Sequence, residues 1–144
     1  MGTDQLVTIL YVDHGEGLGG AEHSLLLLMS RLDRGRFRPL LACDGTPLAS
    51  AARTRGITAC EIAIPQLRGH PAAVARLWRT SRELARLARR EDAAVLHSNT
   101  MRASLSTALA ARAVGRPLVW HARDLYGPSR IGGRWYPWLM SRLA

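Results

Sequence analysis

Lysine is missing from this chain: all 20 cations among its 144 residues are arginine. That excludes every mechanism that needs a lysine of its own, whether a Schiff base, a P-loop lysine or a Tyr-x-x-x-Lys dehydrogenase pair. Cysteine is nearly missing too. Cys43 and Cys60 are the only two, too few for a disulfide scaffold, and both sit in apolar, strand-like runs, so they read as buried free thiols. Aromatic residues are sparse before Trp120, and no helix-turn-helix, zinc-finger or RNA-binding signature occurs. Nucleic acid is therefore a disfavoured partner despite a net charge of +9. The five histidines show no H-x3-H or Cys/His spacing, so no metal site is expected. No apolar run approaches the ~18 residues of a membrane span, and the first residues lack a basic stretch followed by an apolar one. A cytoplasmic location is expected, with any membrane contact peripheral at the inner face.

What is present is an ordinary globular mixture, 47% apolar and 22% charged, with enough chain for one domain and its core. Apolar, β-branched runs alternate with helical stretches. Strands are expected over 6–13, 38–43, 57–64, 93–97 and 117–121. Helices are expected over 21–32, 47–55 and 71–90, and from a cap at Asn99 or Thr100 to residue 114, where Gly115 stops the last one. The strands are continuous hydrophobic runs, which argues for a parallel sheet covered on both faces. The fold class predicted is Rossmann-like α/β/α, three layers around a parallel sheet, occupying residues 1–125. Residues 126–144 form a Gly/Pro/Arg loop and a terminal aromatic segment with Trp135, Tyr136, Trp138, Leu139 and Met140. It ends without a Gly or Pro terminator, so the chain reads as one half of a larger protein.

In such a fold, ligands bind outside the carboxyl ends of the strands. The loops after Asp13, Cys43, His97 and His121 share that edge. The first is rich in glycine and opens onto a helix, whose N-terminal N–H groups favour a phosphate. Two groupings compete. Gly15, Gly17 and Gly20 match G-x-G-x-x-G, with Asp44 roughly where a ribose-binding acid would stand; this is the dinucleotide, NAD(P)-type alternative. Against it, His14 separates the strand from the motif and Glu16 puts an anion inside the loop. The other grouping is Gly19-Gly20-Ala21-Glu22 opening a leucine-rich helix. A tight strand-to-helix turn with no ligand, and a non-catalytic binding module, stay open beside both.

Gly19-Gly20-Ala21-Glu22 after a first strand resembles the N-terminal half of a family 4 glycosyltransferase with the GT-B fold. So does the apolar strand into His97-Ser98-Asn99 before a small-residue helix, and so does the segment from Pro117 to Asp124. The likeness runs from about Leu6 to Asp124. It implies two Rossmann-like domains with the active site between them. The N-terminal one holds the acceptor; the C-terminal one holds the nucleotide-sugar and carries a Glu-x7-Glu motif. It implies transfer of a sugar from a nucleotide-sugar to a sugar or lipid-linked acceptor with retention, in glycolipid, polysaccharide or cell-envelope synthesis, without a metal or other cofactor. The half present here is expected to be inactive alone. By this resemblance Gly19 and Gly20 meet the donor diphosphate, and His121 lies near the transferred sugar as the catalytic residue. Asn99, Arg123 and Asp124 bind the acceptor. Structural alternatives stand beside these roles: Asn99 as a helix cap, Arg123 and Asp124 paired with each other.

The stretch 71–90 is amphipathic. Val74, Leu77, Trp78, Ser81, Leu84, Ala85 and Ala88 share one face, expected in the core. Arg76, Arg79, Arg82, Arg86, Arg89 and Arg90 share the opposite one. A basic face of this kind suits an anionic membrane surface.

Overall fold

The computed structural model describes residues 6–66 and 72–123, together with 138, 139, 141 and 142. Five strands alternate with four helices: β1 (Val7–Asp13), α1 (Gly20–Arg31), β2 (Phe37–Cys43), α2 (Thr46–Arg53), β3 (Thr58–Glu61), α3 (Ala73–Arg90), β4 (Ala93–Ser98), α4 (Met101–Val114) and β5 (Leu118–Trp120). Every strand pair is parallel and the order is β3-β2-β1-β4-β5. Successive side chains of a strand point to opposite faces, and both faces of the central strands are apolar. Leu10, Val12, Leu40 and Ala42 pack with Leu84 and Ala88 of α3 and Ala103 and Ala111 of α4. Tyr11, Leu41 and Cys43 pack with Leu25 and Met29 of α1 and Leu48 and Ala52 of α2. The expected Rossmann-like, three-layer α/β/α arrangement is therefore present. The chain leaves β1 for β2 on one side and later returns to place β4 on the other. The loops after β1 and β4 diverge there, and that switch point is where such sheets open a crevice.

Two local expectations are corrected. The third strand, expected over 57–64, pairs only over Thr58–Glu61. Ile62 still donates its N–H to the Cys43 carbonyl (2.9 Å). Beyond it, the carbonyls of Ala63 and Ile64 accept from Thr80 Oγ1 (2.8 Å) and Arg102 Nε (3.0 Å), and Ile64 is fully buried. Side chains of α3 and α4 thus draw the backbone off the sheet edge. The second correction concerns α3. Its buried residues run from Thr80 to Ala88, whereas Val74 and Trp78 are 66% and 53% exposed. Full burial begins at Thr80, so Val74 and Trp78 stand exposed in the first turns while Leu77 is partly buried. All six arginines of the opposite face are exposed, as expected. Gly115 ends α4 in the left-handed region (φ 65°), as its position predicted. Cys43 and Cys60 are free thiols, the first buried and the second partly so. Among the described residues no helix is long and apolar enough to cross a membrane.

Candidate active site at the strand ends

The acid that closes β1 organises this edge. Asp13 is fully buried. Its Oδ1 accepts the Gly15 N–H at 2.9 Å and its Oδ2 accepts from Asn99 Nδ2 at 2.5 Å. Burial pushes the Asp13 carboxyl above the usual carboxylate range, and the bonds from Asn99 and Gly15 partly oppose that shift. Asn99 is fully buried too. Thr100 takes the N-cap position of α4, which leaves the Asn99 side chain for other work. Its Nδ2 also points at the Ala21 carbonyl (3.4 Å), and its Oδ1 accepts from Arg123 Nε (3.0 Å) and Nη2 (2.6 Å). An amide with its NH2 toward a carboxylate and its oxygen toward a guanidinium is in the one orientation that satisfies both. The row Asp13–Asn99–Arg123 thereby joins β1, the first turn of α1, β4 and the segment after β5.

The glycine turn divides into two parts with different reasons for glycine. Gly15 has φ +63°, and a Cβ on it would lie 3.1 Å from the Gly45 nitrogen; a Cβ on Gly45 would coincide with the Gly15 carbonyl. These two glycines let the loops after β1 and β2 touch. Glu16 and Asp44 both turn to Arg102 of α4, the latter at 3.8 Å. In the dinucleotide reading these same residues would face a cofactor. Gly19 is the N-cap of α1, and Glu22 folds back to accept the Gly19 N–H at 2.9 Å, the carboxylate half of a capping box. At Gly20 the fold makes no demand for glycine: its φ is not positive, and a Cβ there would meet nothing within 4 Å. The open space in front of it is available to a ligand, and the first-turn N–H groups of Gly20, Ala21 and Glu22 have no acceptor within the helix.

Two imidazoles stand beside this row. His121 donates its backbone N–H to the Ser98 carbonyl (2.9 Å), and its ring lies 5.9 Å from that of His97. The His97 ring in turn lies 4.9 Å from Tyr11, with a buried Nε2 that has no hydrogen-bond partner among the described residues. Burial, then the charges of His121 and Arg123, pushes His97 down to about 4. Burial and Arg123 also hold His121 below the usual imidazole range. Both rings are neutral near pH 7, so His121 keeps one nitrogen as a hydrogen-bond acceptor and the other as a donor.

Sequence spacing had shown no metal cluster, yet the fold brings ligand atoms of Asp13, His14 and Glu22 within 4.8 Å of one another. Each has a protein partner. Both Asp13 oxygens and Glu22 Oε2 accept the bonds just described, and His14 Nδ1 lies 3.2 Å from Thr100 Oγ1. The two carboxylates are also sequestered, at 0% and 7% exposure. A sugar cannot reach them as it would the carboxylate pair of a double-displacement glycosidase.

Of the residues singled out in the sequence, Gly19, Gly20, Asn99, His121 and Arg123 all lie on this edge, and Asn99 and Arg123 touch. Asp124 lies outside the described residues. The sequence pattern alone assigns Asp13 and Glu22 no site role. The visible signal was an acid closing the first strand and an acid three residues after a candidate N-cap. The six arginines of α3 belong to the helical layer and take no part in this edge.

A family model described as Glycosyltransferase Family 4 matches residues 18–144. No curated protein matches the chain. Among solved structures, a glycosyltransferase from Rickettsia africae is similar with a TM-score of 0.71 at 16% identity, covering 85% of this chain and 31% of that one. Anabaena Alr3699/HepE, solved with UDP and glucose, is similar with a TM-score of 0.73 at 19% identity, over 96% of this chain and 35% of its own. Acinetobacter baumannii MurG gives 0.70 at 17%, over 97% and 40%. The chain spans about a third of the length of these structures, and its five-stranded sheet is one Rossmann-like half of a GT-B architecture. With its strand-end site and a family match over most of its length, this chain belongs to Glycosyltransferase Family 4.

Proposed function

We propose that this chain is the acceptor-side half of a retaining glycosyltransferase of hexosyltransferase type. It moves a sugar from a nucleotide-sugar to a sugar or lipid-linked acceptor, in glycolipid, polysaccharide or cell-envelope synthesis. The observation that carries this reading is the Asn99 side chain, which holds the first turn of α1 and Arg123 in one hydrogen-bonded group at the switch point of the sheet. In this reading the N–H groups around Gly19 and Gly20 face the departing diphosphate, where a helix start stabilises growing negative charge. His121, neutral at working pH, hydrogen-bonds a hydroxyl of the transferred sugar. Arg123 spends two N–H donors on Asn99 and presents the others, beside Asp124, to a polar or anionic acceptor. In this reading transfer needs no metal. The buried state of Asp13 and Glu22 supports a front-face route assisted by the leaving phosphate rather than a covalent sugar–carboxylate intermediate.

The test has two arms. Titrated with UDP-glucose and with NAD, this half alone binds the first weakly and the second not at all; tight NAD binding overturns the assignment. In an enzyme that also carries a nucleotide-sugar domain, Gly20→Val and His121→Ala lower turnover by about 10-fold or more while leaving the fold intact. Unchanged rates in both remove those residues from the site.

A further inference from the structure

Glu16 is an anion in the loop that leads from β1 to the first turn of α1. A free carboxylate there would repel a diphosphate at that turn. The fold sends it elsewhere. α1 packs on one face of the sheet, with Leu25 and Met29 beside Leu48 of α2. α4 packs on the opposite face, through Ala103 and Ala111. Glu16 Oε1 accepts from Arg102 Nη1 of α4, so the carboxylate is drawn across the sheet edge, to the side away from α1. Arg102 is the anchored member of the pair, its side chain 22% exposed against 65% for Glu16. Its Nε donates to the Ile64 carbonyl at 3.0 Å, and its Nη2 lies 3.8 Å from Asp44 Oδ2. One guanidinium thus joins the loop after β1, the loop after β2 and the segment after β3. It does so from an unfavourable place. Arg102 is the second residue of α4, whose first turn has no acidic residue, and a cation there opposes the helix macrodipole. An ion pair with an exposed partner adds little stability, so stability alone is a poor reason for an arginine at this position.

We propose that Arg102 is a positioning residue for donor binding: by pairing with Glu16 it keeps a carboxylate out of the open space before Gly20. This rests on the reading that the donor diphosphate meets the first turn of α1. Arg102 acts through Glu16 and does not itself touch the diphosphate. The pairing explains how a glycine loop that contains an acid still receives a polyanion.

Titration of this chain with inorganic pyrophosphate, followed by NMR at the Gly20 and Ala21 amides, tests this. Pyrophosphate shifts both amides in the parent. Arg102→Gln weakens binding by about 5-fold at low salt, the effect of one freed carboxylate near a polyanion. Glu16→Gln/Arg102→Gln returns the affinity to within about 2-fold of the parent, because the carboxylate is gone. Glu83→Gln/Arg102→Gln has the same net charge but leaves Glu16 loose, and it stays weak; Glu83 lies on α3, paired with Arg79. Glu16→Gln alone, at an exposed position, keeps the fold and binds at least as tightly as the parent. A Glu16/Arg102 double variant as weak as Arg102→Gln would make Arg102 a phosphate ligand and overturn the proposal. Equal recovery in the Glu83 double variant would mean diffuse net charge and overturn it too. So would an unchanged affinity in Arg102→Gln, or weaker binding in Glu16→Gln. An absence of shifts at Gly20 and Ala21 in the parent would instead defeat the diphosphate reading, and the proposal with it.

Discussion

Acid should destabilise this domain through one ring. His97 is held at about 4 instead of 6.5, because the sheet and Tyr11 desolvate it and His121 and Arg123 repel its charge. The folded state refuses a proton that the unfolded state accepts. A folded pKa lying below the unfolded one means that the unfolded chain binds more protons between these two values, so stability rises with pH there. The contribution is complete above about pH 6.5 and is lost as pH falls toward about 4. From about pH 7.5 to about pH 5, linkage gives about 2 kcal/mol, at 1.36 kcal/mol per unit. The rim of the ring that meets solvent screens part of it, so we expect about 1 kcal/mol. His97→Phe keeps the packing against Tyr11, removes the titration, and deletes a buried Nε2 that lacks a partner among the described residues. Near pH 7.5 its stability should match the parent within about 1 kcal/mol. Urea melts at both pH values measure the difference: the parent loses about 1 kcal/mol more than His97→Phe on acidification. An identical loss in the two proteins, or an NMR titration midpoint for His97 at its ordinary value, would refute the reasoning. Groups such as Asp13, whose carboxyl is shifted upward, titrate alike in both and cancel in the comparison.

Two further outcomes follow from the same edge. Asp13→Ala leaves Asn99 Nδ2 and the Gly15 N–H without their acceptor in a buried place; it should cost about 2–4 kcal/mol in urea unfolding and release Arg123 from its fixed orientation. Gly45→Ala drives a Cβ into the Gly15 carbonyl and should cost about 2 kcal/mol or more, whereas Gly20→Ala, with open space before it, should stay within about 0.5 kcal/mol. Equal effects on thermal melting from both glycine substitutions would contradict the packing of the two loops.

The strand-helix alternation was legible because hydrophobic runs, Pro47, Gly56 and Gly115 are local signals, and the helix and strand ends they mark lie within a few residues of the observed ones. The third strand was overread: Ile62, Ala63 and Ile64 are as apolar as a strand, but Thr80 and Arg102 compete for their carbonyls from distant elements. The expectation of Trp78 in the core fails for a related reason. A helical wheel reports which residues share a face and says nothing about how far along the helix its support extends. Among the site residues, Gly19, Gly20, His121 and Arg123 stood out by position relative to strand ends. The part played by Asp13 did not, since its partner Asn99 is 86 positions away.

By itself, then, the sequence determined the parallel α/β layer, the edge that carries the candidate site, and the exclusion of lysine chemistry. Those follow from residue type and short-range periodicity, which each segment carries with it. The tertiary structure decided that Asn99 is a buried bridge and not a cap, that Asp13 and Glu22 are sequestered, and that Trp78 is exposed. Hydrogen-bond partners and burial depend on which segments the fold brings together, and no local pattern encodes that pairing.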